Sequence, residues 1–127
     1  MALPEHVALA LTAQTAAATT DTGPGGGWIP GEVDFITVTS SASTKFMVLS
    51  NTAPLGKRIW GNVGANGFKL QTLAGSTQTI NNVDTSGAAV AVIPANATFL
   101  LVKSLTTGWI LSYYTNLGAV GTAIVPA

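Results

Sequence analysis

From residue 28 onward, short apolar and β-branched runs alternate with clusters of Gly, Pro, Asn, Ser and Thr. "VDFITVTS" (33–40) and "KFMVLS" (45–50) are separated by "SAST". "KRIWGNV" (57–63) and "FKLQTL" (68–73) flank "GANG", and Asn-Gly is a strong local hairpin signal. "STQTINNV" (76–83) is a weaker run, and "AAVAVIP" (88–94) is followed by "ATFLLVKSL" (97–105). "GWILSYY" (108–114) follows "TT", which predicts a second tight hairpin, and "AVGTAIVP" (119–126) is a last candidate strand. No window after residue 20 carries a helical period. Short strands at this spacing predict an all-β fold, either a single antiparallel β-sandwich or a tulip-like β-barrel.

Period-two alternation assigns faces within these runs. Phe68 and Leu70 point one way, Lys69 and Gln71 the other. Trp109, Leu111 and Tyr113 share one face of their strand, with Ile110, Ser112 and Tyr114 opposite. Large apolar groups on both faces suit a strand that is central in a two-layer core or buried between subunits. Phe99, Leu101, Trp109, Leu111, Tyr113 and Tyr114 are therefore the candidates for a subunit interface or a core.

Residues 1–27 follow another pattern. They contain no Phe, Trp or Tyr, and Ala, Thr and Gly dominate. Val7, Leu9 and Leu11 alternate, which suits an extended arm, although Ala and Leu also favour a short helix. The segment reads as a flexible N-terminal arm, 1–27, attached to a β-body, 28–127. A plain tail is the alternative to an arm that orders on a partner. Gly25, Gly26 and Gly27 would let the arm bend, and Trp28 would mark its junction with the body. The N-terminus superficially resembles a signal peptide, but Glu5 and His6 precede a short apolar stretch, so cleavage is not expected.

Composition sharpens the picture. The 127-residue chain is 47% hydrophobic and 8% charged, with a formal net charge of zero. Soluble domains average about 25% charged residues, so much of this surface is expected to be covered in use. The five basic residues form no patch, which argues against nucleic acid. No stretch approaches the roughly 18 apolar residues of a membrane span. There is no cysteine, hence no disulfide or thiolate chemistry.

Candidate chemistry is sparse. His6 lies in the arm without metal-site or triad partners. Glu32 and Asp34 suit a solvated strand start or an intersubunit contact to Lys57 or Arg58 better than a paired-carboxylate site. Asn81, Asn82 and Asp84 suit a turn better than a cation site. "GPGGG" lacks the following Lys-Ser/Thr of a phosphate loop. No catalytic, cofactor-binding or metal-binding residue is assigned, and an enzyme is not expected. The aromatic residues leave open a sugar-stacking platform.

Residues 56–111 resemble a recurrent β-module of tailed-bacteriophage virion proteins. The resemblance lies in Gln78-Thr79-Ile80-Asn81, in Phe99 to Lys103 and in Gly108-Trp109-Ile110-Leu111. With one arm and one compact body, the chain is most similar to capsid decoration (cement) proteins. That resemblance implies a homotrimer on the capsid exterior, made in the host cytoplasm, with the major capsid protein as partner. It implies a capsid-binding arm that includes Val7, Leu9, Leu11 and Thr12, joining a sheet edge of the shell by strand addition. The alternative is a fibre, head-fibre or baseplate module contacting a host surface glycan.

Overall fold

The computed structural model describes the backbone of residues 10–15 and the whole of residues 27–127. Among the described residues eleven strands follow in chain order: β1 (Ala10–Thr15), β2 (Trp28–Ile29), β3 (Phe35–Thr39), β4 (Phe46–Leu49), β5 (Arg58–Val63) and β6 (Phe68–Thr72). Then come β7 (Thr79–Ile80), β8 (Val83–Asp84), β9 (Ala91–Ile93), β10 (Thr98–Leu105) and β11 (Gly108–Tyr114). Among the described residues there is no helix. The strands form a seven-stranded sheet, β1-β3-β5-β10-β11-β7-β8, and a four-stranded sheet, β2-β4-β6-β9. The body is an all-β sandwich, not a closed barrel.

Neither sheet is purely antiparallel. From β1 to β6 the chain switches sheet at every step, so the neighbours within a sheet are alternate strands running the same way. The pairs β1–β3, β3–β5, β2–β4 and β4–β6 are all parallel. The connections are corners between layers, and they stack on one another. Asn66 Nδ2 donates to Ser40 O, and Gly64 N donates to Val38 O. On the other side a Cβ on Gly31 would lie 2.6 Å from Ala53 N. There Lys57 donates to Glu32 O and pairs with Asp34. The contact expected between subunits at Asp34 is thus made within the chain, and Glu32 lies in a turn.

The corner at 64–67 corrects the hairpin expected from "GANG". β5 and β6 lie in different sheets. Neither Asn66 nor Gly67 has a positive φ, as the two-residue hairpin turn would require. Gly67 serves a close approach instead: a Cβ there would lie 2.3 Å from Ile93 O. The tight turn falls at Asn81-Asn82, with φ of 50° and 67°, and splits the weak run 76–83 into the hairpin β7–β8. The "TT" hairpin joins β10 and β11 as the sequence predicts.

The last candidate strand, 119–126, does not form. Only Val120 bridges to Tyr114. Gly118 turns the chain at φ 81°, and Gly121 lies so close to the Tyr113 ring that a Cβ would fall 2.1 Å from it. The end of the chain is tied down by two backbone bonds between Ala127 and Val90, and by Asn81, whose amide donates to Ile124 O.

The core lies between the sheets. Phe99, Leu101, Trp109 and Leu111 face inward from the long hairpin and meet Phe68, Leu70 and Met47 of the smaller sheet. Phe99 and Phe68 pack edge-on at 5.8 Å. Gly61, opposite Phe99 in the register, leaves the space its ring occupies. Lys103 follows Phe99 and Leu101 in phase, so its side chain also points inward and is 2% exposed. Its ammonium lies 5.1 Å from the Trp109 ring centroid and donates to Gln78 Oε1, which also accepts from Trp109 Nε1. Burial pushes the Lys103 pKa below its ordinary value.

A candidate interaction face on the seven-stranded sheet

The outer face of the larger sheet is built by residues out of phase with the core. On β10 these are Thr98, Leu100 and Val102; on β5 they are Arg58, Trp60 and Asn62; on β11 they are Ile110, Ser112 and Tyr114. The register fixes two ends. At one end Val102 lies between Ile110 and Arg58. At the other, Thr98 lies between Tyr114 and Asn62. Thr98 to Val102 spans about 13 Å at the usual rise of a strand.

The first end is apolar. Ile110 is 53% exposed, and Leu105, at the end of β10, is 58% exposed. Gly56 N donates to Lys103 O, which brings the turn carrying exposed Leu55 to the same end of the sheet. Arg58 supplies the charge beside this patch. A solvated strand face normally carries more polar residues than this, and a contiguous apolar patch marks an interaction site.

The second end is aromatic and polar. Trp60 and Tyr114 reach toward each other across β10, and their rings stack with centroids 6.1 Å apart and planes inclined by 29°. Thr98 Oγ1 donates to Asn62 Oδ1 beside them. The turn after β11 closes the end: Thr115 N donates to Ala119 O, and Gly118 N donates to Thr115 O.

The residues singled out in the sequence divide between these places and the interior. Phe99, Leu101, Trp109 and Leu111 are buried between the sheets. Tyr113 is half-buried against the core, and Tyr114 is on the outer face. Trp28 is half-buried at the start of β2, where Gly27 O accepts from Val48 N, while its neighbour Ile29 enters the core. Leu11 and Thr12 belong to β1, whose backbone pairs in parallel with β3. Val7, Leu9, Gly25 and Gly26 lie outside the described residues. Leu105, Val102 and Trp60 were not singled out. Strand phase could have found Val102, two residues beyond Leu100 and opposite in face to Leu101.

Among the described residues, no group of three or more His, Cys, Asp or Glu could hold a metal ion. Asn81 and Asn82 form the turn between β7 and β8, and Asp84 ends β8, where it accepts from the hydroxyl and backbone of Ser86, which hold its pKa below the usual value. Comparison with protein-family models, with curated proteins and with solved structures finds no match to this chain.

Proposed function

We propose that this chain is a non-enzymatic structural component of a tailed-phage particle, which binds the outer surface of an assembled capsid as a trimer and stabilises the shell. The observation that carries the reading is the apolar patch in which Leu105 and Ile110 are exposed beside half-buried Val102, on a chain with 8% charged residues. Copies meeting through that patch would remove it from water at roughly 25 cal/mol per Å² of apolar area. Three joined copies would then multiply a weak single contact with the shell through effective concentration.

The position of β1 also supports the reading. It is the end strand of the larger sheet and, among the described residues, pairs only with β3. A strand in that position can accept a further strand on its other edge. A capsid loop adding there would gain several backbone hydrogen bonds, each contributing about 0.5–1.5 kcal/mol net. Ordering costs of about 1–2 kcal/mol per fixed residue offset much of that gain.

The test is cosedimentation with purified capsids, comparing the full chain with a chain lacking residues 2–22. Capsid occupancy should fall steeply on truncation while the body stays folded, because the truncation removes the edge strand β1 and every core residue among those described lies at or beyond Ile29. Equal occupancy curves would remove the role assigned to the arm. Binding to host cells in place of capsids would remove the capsid reading altogether.

A further inference from the structure

Beyond the Trp60–Tyr114 stack, the outer face opens into a recess of about 410 Å³ lined by Trp60, Thr98, Tyr114, Thr115, Asn116 and Gly118. We propose that this recess is a binding site for a neutral saccharide, with a pyranose ring stacked on the aromatic pair and its hydroxyls bonded by Thr98, Asn116 and the neighbouring Asn62. The inference is independent of the particle reading above.

The chemistry of the lining selects the ligand class. A pyranose has an apolar C–H face and a rim of neutral hydroxyls. It therefore needs an aromatic surface flanked by neutral donors and acceptors. Trp60 is 38% exposed although it sits on a sheet face, so its ring is available as that surface. The stack with Tyr114 fixes its orientation before any ligand arrives, which reduces the ordering cost of binding. Among the described residues no charged side chain lines the recess, so none of them there would compensate a phosphate or carboxylate. The volume lies within the roughly 300–1,000 Å³ usual for small-ligand clefts.

The polar groups are held in place as well. Asn62 Oδ1 accepts from Thr98 Oγ1, which orients the Asn62 amide; its Nδ2 donates to no described residue. Asn116 is carried on the closed turn 115–118, with Gly118 at φ 81°. A peptide ligand is a poorer fit. The recess lies over β5, β10 and the end of β11; β5 and β10 have strands on both sides, and the far side of β11 there is bonded by Ala119, Val120 and Gly121, so no free sheet edge is offered to an extended chain.

The experiment titrates the full chain with maltotriose, mannotriose and N,N′,N″-triacetylchitotriose, following the three indole N–H resonances by NMR. At least one sugar should shift the Trp60 resonance saturably, with millimolar or tighter affinity. Trp28 and the buried Trp109 should stay in place. Trp60→Ala should weaken that binding by about tenfold or more, and Asn116→Ala by about threefold or more. Both side chains are on the surface, and an unchanged Trp109 resonance confirms that each variant is folded. The proposal is overturned if none of the three sugars moves Trp60 saturably, or if Trp60→Ala binds as well as the parent chain. Binding confined to an anionic sugar such as sialyllactose would overturn the neutral class.

Discussion

Gly61→Ala should destabilise the sandwich severely for so small a change. The added Cβ would lie 2.1 Å from Phe99 Cζ, 2.3 Å from Cε1 and 2.7 Å from Cε2. Carbon atoms rest at about 3.5–4.0 Å, so the ring would have to retreat by more than about 1 Å. It has nowhere to go, because Phe99 is fully buried and packed edge-on against Phe68. Overpacking of this kind costs about 1–3 kcal/mol, and the overlap places this site at the upper end. Against it stands the smaller entropy of the unfolded alanine chain, about 0.4–1 kcal/mol, since Gly61 does not need a positive φ. The net loss should be about 1–2.5 kcal/mol, or roughly 4–9 °C in Tm for a domain of this size. Urea and thermal unfolding at one fixed protein concentration would measure it. Phe99→Leu should cost stability alone yet recover part of it in the Gly61→Ala background, a coupling of about 1 kcal/mol or more. A Gly61→Ala protein as stable as its parent, or losses that simply add, would refute the packing argument.

Asn81 does two separable things. Asn81→Gly keeps the φ of 50° without strain but loses the bonds to Leu111 N, Leu111 O and Ile124 O, at a cost of about 1–3 kcal/mol. Asn81→Ala should lose about 1–2 kcal/mol more from the left-handed backbone, so the urea midpoints should fall in that order. Lys103→Met should leave the protein at least as stable at neutral pH. Because burial lowers the Lys103 pKa in the folded state, the unfolded chain holds more protons between that lowered value and 10.5. Stability of the parent should therefore rise with pH across that window, with the full penalty in place below it. Urea unfolding from neutral pH to beyond 10.5 should show the rise in the parent and its loss in Lys103→Met.

The strands were legible where alternation was strong. Runs 97–105 and 108–114 become the hairpin β10–β11, with Trp109 and Leu111 inward and Ile110 outward as their phase requires. Pairing was less legible, because it depends on contacts far apart in sequence. Asn66-Gly67 carries the local signature of a hairpin, but its conformation is set by the approach of Gly67 to Ile93, which no local pattern contains. Asn81-Asn82 lacks the glycine that flags such turns, yet both residues adopt the required left-handed conformation. The run 119–126 is apolar enough for a strand, but Gly118 and Gly121 turn it along Tyr113 instead of into a sheet. The interaction face was half legible. Its apolar side at Ile110 follows from strand phase, whereas the meeting of Trp60 with Tyr114 depends on β5 and β11 flanking β10.

Self-association through the apolar end of the outer face, at Leu105 and Ile110, is the claim on which the functional account rests. Sedimentation equilibrium of the full chain at micromolar concentration tests it most directly, with Ile110→Asp run beside it. The account predicts a mass three times that of the 12.8 kDa chain for the parent, and a folded monomer for Ile110→Asp. A parent protein that sediments as a stable monomer, or a trimer indifferent to Ile110→Asp, would contradict it.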